Sequence, residues 1–121
     1  VRLFGRGGLL EPRHPALWVK GSTLHLFFSC VGDCPEKIYH CQCELGDDWD
    51  SWVFTKPRIL LSPEKGWEGS DLPHKASVLG TATSPLCELR DPGIFTQEDK
   101  VYILYSGAGE AAIGIARLDG I

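Results

Sequence analysis

Apolar and polar positions in this chain change places every second residue over several short stretches, the period of a strand with two different faces. In Lys37–Leu45, Tyr39, Cys41, Cys43 and Leu45 share one face, and Ile38, His40, Gln42 and Glu44 share the other. Thr23–Cys30 is denser in apolar and aromatic residues and predicts a strand. Before it, Pro15–Lys20 predicts a strand that turns at Gly21–Ser22. A fourth strand is expected within Trp52–Leu61, with Pro57 holding part of it at a sheet edge. After a long stretch rich in Pro and Gly, Ser62–Leu89, the pattern restarts with Pro92–Thr96, Lys100–Ser106 and Ala112–Leu118. Val1–Phe4 predicts one more short strand. No helix-period stretch of useful length occurs, so the fold class is all-β, built from short antiparallel strands.

The restart is a repeat. Shifted by 77 positions, Arg13–His14–Pro15–Ala16–Leu17–Trp18 falls without a gap on Arg90–Asp91–Pro92–Gly93–Ile94–Phe95. Leu24 then meets Val101, Leu26 meets Ile103, Phe28 meets Tyr105 and Ser29 meets Ser106. Self-similarity at a fixed spacing marks a repeat architecture, and repeated four-stranded antiparallel sheets are the blades of a β-propeller. The expected plan is a single partial propeller domain over 1–121: a first blade over about 13–61, a connector over 62–89 and a second blade over about 90–118. The second blade is one strand short, and Val1–Phe4 is expected to fill that place beside Ala112–Leu118. Two blades cannot close a ring, since roughly four are needed. The chain is therefore expected to self-assemble as a homo-oligomer or to be part of a longer chain.

Composition narrows the function. The 121 residues are 43% hydrophobic, enough for a core, and carry a formal charge of −4 with a pI near 5.5. A nucleic-acid or anionic-membrane surface calls for the opposite sign, so neither partner is expected, and no apolar run is long enough for a spanning helix. The chain has no methionine and begins at Val1, which points to a processed or cut piece. Its five cysteines, Cys30, Cys34, Cys41, Cys43 and Cys87, are an odd number, which favours reduced thiols and a cytoplasmic protein. Zinc on Cys30, Cys34, His40, Cys41 and Cys43 is the competing reading. The repeat argues against it, because Cys41 and Cys43 fall on Ala116 and Leu118, so these thiols are expected to fill core space. No metal or cofactor is assigned.

The phrase Arg90–Asp91–Pro92–Gly93–Ile94–Phe95, then Lys100–Gly107 ending Tyr105–Ser106–Gly107, then Ile113–Gly114–Ile115–Ala116, resembles the five-bladed β-propeller glycoside hydrolases, the arabinanase/xylosidase-like and invertase-like families 43 and 32. His14–Ser29 and Ile38–Cys43 give a looser second copy, so the resemblance covers about two of five blades. It implies that the innermost strand of each blade opens onto a central funnel and that the residue before Pro points at the sugar. Carried over, Asp91 is the catalytic-site carboxylate that holds sugar hydroxyls. Arg90, His14, Arg13, Trp67 and Glu110 are the residues expected to meet substrate.

Glycoside hydrolysis ordinarily needs two carboxyl groups, about 5–5.5 Å apart for retention and about 6.5–9.5 Å for inversion, one protonated and one ionised. Asp91 has no carboxylate counterpart in the first copy, where His14 stands. A general acid would have to come from Glu88, Glu110, Glu68, Asp71 or absent blades. Each candidate also has a structural reading: Asp91 as a turn residue, His14 as a half-buried ring, Trp67 as the anchor of a surface loop, and Asp33 and Glu110 as turn-capping carboxylates. Two functions follow as expectations. One is a fragment or relative of a propeller glycosidase that binds and hydrolyses glycosides. The other is a non-catalytic, self-associating module that binds carbohydrate or a protein.

Overall fold

The computed structural model describes residues 11–121, so the predicted strand at Val1–Phe4 and its placement lie outside the described residues. Two antiparallel sheets account for most of the rest. The first has the order β1–β2–β3–β4, with β1 at Glu11–Lys20, β2 at Thr23–Val31, β3 at Ile38–Glu44 and β4 at Arg58–Leu61. The second has the order β5–β6–β7, with β5 at Arg90–Gln97, β6 at Lys100–Gly107 and β7 at Ala112–Arg117. Two short 3-10 turns, Trp49–Ser51 and Gly66–Glu68, are the described helical elements.

The register reproduces the sequence repeat. Arg13 pairs with Ser29 and Ala16 with Phe27, so β1 advances one residue more than β2. In the second sheet Arg90 pairs with Ser106 and Gly93 with Leu104, the same bulge at the same place. Both inner strands begin earlier than the prolines suggest, because Pro15 and Pro92 lie inside a strand. Proline has no N–H to donate, so it is tolerated where a bulge already interrupts the ladder. The residue before each proline takes the left-handed backbone, His14 at φ 53° and Asp91 at φ 50°. That conformation is disfavoured for side-chain-bearing residues, and His and Asp are among the types that most often accept it.

The two sheets pack face against face. Ala16, Trp18, Phe27 and Ile38 of the first meet Leu89, Ile103, Tyr105 and Ala116 around the second in one apolar cluster. The first sheet is apolar on its other face too, where Leu26, Phe28, Cys30 and Cys41 gather with Tyr39 and Phe54. Cys30 and Cys41 thus fill core space, and burial raises both thiols to about 11. Among the described residues every cysteine is a free thiol, and no group of three or more His, Cys, Asp or Glu is placed to hold a metal.

The connector stitches the sheets together. Ser77 exchanges backbone bonds with the β2–β3 loop, Gly32 N–H to Ser77 C=O at 3.0 Å and Ser77 N–H to Asp33 C=O at 2.9 Å. Further on, Leu86 N–H donates to Ala108 C=O at 3.2 Å in the β6–β7 loop. A parallel bridge between Glu36 and Glu88 then leads into β5.

Candidate functional site

The paired bulges bring two of the expected residues together. His14 Nδ1 lies 3.0 Å from Asp91 Oδ1, with the two side chains 37% and 39% exposed. The contact is close but off the line of a hydrogen bond, so Nδ1 is a buried atom with no hydrogen-bond partner in the protein. Asp91 is held from its other oxygen, where Ser106 Oγ donates to Oδ2 at 3.1 Å. Ser29 occupies the place of Ser106 in the first sheet, is fully buried, and its Oγ has no hydrogen-bond partner. One repeat therefore closes its Ser–Asp pair, while the other, with His in place of Asp, leaves the equivalent serine open. Buried polar atoms of this kind are uncommon and call for an explanation.

Behind the bulges the arginines are fully engaged. Arg13 forks onto Glu36, with Nε to Oε1 at 2.9 Å and Nη2 to Oε2 at 2.5 Å. Arg90 is 1% exposed and donates Nε to Glu88 Oε2 at 2.6 Å and Nη1 to Gly80 C=O at 3.1 Å, while Nη2 also contacts Glu88. Arg90 Nε lies 3.6 Å from Glu36 Oε2, which joins the two pairs into a chain of four charges. The hydrogen bond to Glu36 raises Arg13 above the ordinary guanidinium value, against burial. Burial raises the Glu88 carboxyl, with Arg90 working against it. These arginines are largely buried and spend their donors on Glu36, Glu88 and backbone carbonyls at the strand ends that carry His14 and Asp91.

The other expected residues lie elsewhere. Trp67 is 44% exposed and stacks beside Tyr105, with ring centroids 6.2 Å apart. A Cβ added at Gly114 would come within 2.6 Å of the Trp67 ring and 2.5 Å of Tyr105, so the indole fits only because that position is glycine. Gly114 and Gly107 belong to the face of the second sheet opposite Ser106. Glu68 accepts from Tyr105 Oη at 2.7 Å and from the backbone N–H groups of Glu64 and Lys65. Burial alone would raise its carboxyl, but those donors together hold it below the usual range, the wrong direction for a general acid. Glu110 caps the connector, accepting from Ala82 N–H at 2.7 Å. Asp33 caps its own turn at Cys34 N–H and holds Lys37 and Tyr39.

Ser29, Ser106 and Glu36 were missed as site residues. The serines had a signal, since they coincide under the 77-residue shift. Glu36 had none: it lies in a loop, and its partner Arg13 is 23 residues away.

By fold and site, then, this is an all-β protein of two like antiparallel sheets whose matched bulges meet at His14 and Asp91. No protein-family model and no solved structure matches the chain. It is similar to an uncharacterized protein of Acanthamoeba polyphaga mimivirus, 37% identical over 115 residues that make up 94% of this chain and 32% of that protein. The chain thus spans about a third of the length of this relative. Among the described residues no helix is long and apolar enough to cross a membrane.

Proposed function

We propose that the two sheets are consecutive blades of a propeller of the glycoside-hydrolase type, and that His14 and Asp91 form a carbohydrate-binding site where the inner strands open. The observation that carries this reading is the unspent hydrogen-bonding capacity at the paired bulges. Asp91 keeps a half-exposed carboxylate oriented by Ser106, 3.0 Å from His14 Nδ1. A sugar hydroxyl donates, and the exposed carboxylate can accept from it.

Hydrolysis asks for a second carboxylate across the bond. Glu36 and Glu88 are committed to arginines, Glu68 to Tyr105, and Glu110 to the connector. The role this pair of sheets supports is therefore binding, with Asp91 as the anchoring carboxylate and any catalytic partner supplied from outside the pair. Saturation-transfer NMR with arabinose, xylose, fructose and mannose tests the reading, alongside a screen of the matching chromogenic glycosides. At least one sugar should bind, and Asp91→Asn should weaken it about tenfold or more, as losing a charged hydrogen bond does. Absence of binding to any of the four, or binding indifferent to Asp91→Asn, sinks it.

A further inference from the structure

Of the five thiols, Cys34 alone is exposed, and an oxidant in solution meets it first. Cys34 lies in the turn that leads to Glu36, and Glu36 forms a parallel bridge with Glu88. Parallel segments run the same way, so residues just before Glu36 and just before Glu88 lie at the same end of the bridge. Cys34 and Cys87 are those residues. Paired segments lie about 4.8 Å apart, and a disulfide spans Cα atoms up to about 7 Å apart. A cross-link is therefore within reach at this end of the bridge.

Both segments are pinned where the two cysteines sit. Cys34 N–H donates to Asp33 Oδ1 at 3.0 Å, and Asp33 C=O accepts from Ser77 N–H at 2.9 Å. Leu89 N–H donates to Glu36 C=O at 2.9 Å and holds the bridge itself. Glu88 N–H donates back to Leu86 C=O at 2.9 Å, a tight turn centred on Cys87. Each thiol thus stands on a turn, where the strict alternation of an extended strand does not set its direction. The sulfurs sense each other: burial, then Glu88, then Cys34 raise the Cys87 thiol. We infer that Cys34 and Cys87 are a reversible redox pair, which glutathione disulfide joins into a cross-link between the β2–β3 loop and the segment leading into β5.

The chemistry is two thiol–disulfide exchanges. Cys34, as thiolate, attacks one sulfur of glutathione disulfide; that S–S bond breaks, a mixed disulfide forms and one glutathione thiolate leaves. Cys87 then gives up its proton, attacks Cys34 Sγ and expels the second glutathione thiolate. The two cysteines are oxidised, glutathione disulfide is reduced to two glutathiones, and these take the two protons that the cysteines lost. Cys87 is 2% exposed, so the second step is the slower one. Cys30, Cys41 and Cys43 are buried on β2 and β3, away from the oxidant. The cross-link falls beside Glu36, which holds Arg13 and lies 3.6 Å from Arg90 Nε, so oxidation fastens the sheets where their charged chain already joins them. This inference stands apart from the sugar-site reading, since it uses neither His14 nor Asp91.

Incubation of the whole chain with glutathione disulfide at about pH 8, then mass spectrometry and peptide mapping without reductant, tests it. The parent should lose about 2 Da, with the Cys34 and Cys87 peptides linked, and two of the five thiols should disappear from a titration in denaturant. The oxidised chain should melt several degrees higher, because the cross-link restricts the unfolded state, and dithiothreitol should reverse the shift. Cys87→Ala should stop at the glutathione adduct on Cys34. Cys34→Ser, a change at an exposed position, should leave the remaining thiols unreacted. A parent that does not react, that stays at the adduct, or that links Cys34 between two chains overturns the inference. So does an equal loss of thiols in Cys34→Ser, or an oxidised chain that melts no higher than the reduced one.

Discussion

The two sheets are one pattern used twice, and they differ in what surrounds them. Both carry the Arg-X-Pro bulge, the left-handed residue before proline and the serine opposite the arginine. Yet Phe27 is fully buried and Leu104 is 36% exposed at the same place. Among the described residues, the first sheet gathers an apolar cluster on each face and the second on one. Strand register follows from local sequence, whereas burial depends on which neighbour a sheet happens to have. Identical positions in a repeat can therefore carry very different energies.

The largest contrast should appear at that matched pair. Phe27→Ala removes a buried ring from the joint between the sheets and should cost about 3–5 kcal/mol. Leu104→Ala, measured on the dilute monomer, should fall within about 1 kcal/mol of the parent, as surface changes do. Urea unfolding followed by tryptophan fluorescence compares the two directly. Equal losses would mean that the second sheet is as well covered as the first.

The charged chain under the bulges gives the next test. Glu36→Gln takes the carboxylate from Arg13 and leaves its buried guanidinium without a counter-charge, and it also removes the charge 3.6 Å from Arg90 Nε. Breaking a buried pair from one side costs about 3 kcal/mol or more. Glu88→Gln strips only Arg90, which keeps Gly80 C=O and the nearby Glu36, and should cost less. Denaturant midpoints in that order would identify Glu36 as the shared element of both repeats, and the reverse order would assign that role to Glu88.

These pairs also show what could be read beforehand. The strand series, the antiparallel pairing and the 77-residue spacing followed from alternation and self-similarity, because side-chain period and register are local properties. That His14 and Asp91 hold equivalent places followed from the same shift; that they touch did not. The bulge did not: Pro15 and Pro92 read as strand starts, since sequence gives proline's missing donor but not the pairing partner that continues past it. Glu36 was hidden because its partner is set by the path of the connector. The seat of Trp67 was not legible either: it stacks beside Tyr105 over Gly107 and Gly114, a fit that depends on two glycines far along the chain.

Acid should reach a pair of histidines in the first sheet that the second sheet lacks. His25 Nδ1 and His40 Nε2 are 3.0 Å apart in the interior, and Arg58 Nε donates to His40 Nδ1 at 3.2 Å. Under the repeat their counterparts are Tyr102 and Arg117, so the second sheet has no histidine at these places. Burial, with Arg58 and His25 adding to it, lowers His40 to about 4 from an ordinary 6.5, and burial likewise lowers His25. The unfolded chain then binds protons that the folded one refuses. Stability is complete above about pH 6.5 and declines as pH falls towards 4, by at most about 1.4 kcal/mol per pH unit for each proton. Thermal melts at pH 7, 6, 5 and 4 check the slope, and His40→Gln should flatten it. A slope unchanged in that variant would assign the loss to other groups.

The smallest effects belong to the bulge residues themselves, where the two repeats are alike in backbone and differ in side chain. Both positions hold positive φ, so the strain is the same whether His or Asp stands there. Asn accepts that conformation readily, and at position 91 it can still accept from Ser106. His14→Asn and Asp91→Asn should each leave stability within about 0.5 kcal/mol of the parent. His14→Val should cost about 1–2 kcal/mol, because a β-branched side chain fits the left-handed region poorly. Melting curves of the three variants separate backbone from chemistry. If Asp91→Asn melts with the parent while sugar binding is lost, the carboxylate serves a ligand; if it unfolds the chain, Asp91 is a structural residue and the bulge exists to fold the sheet.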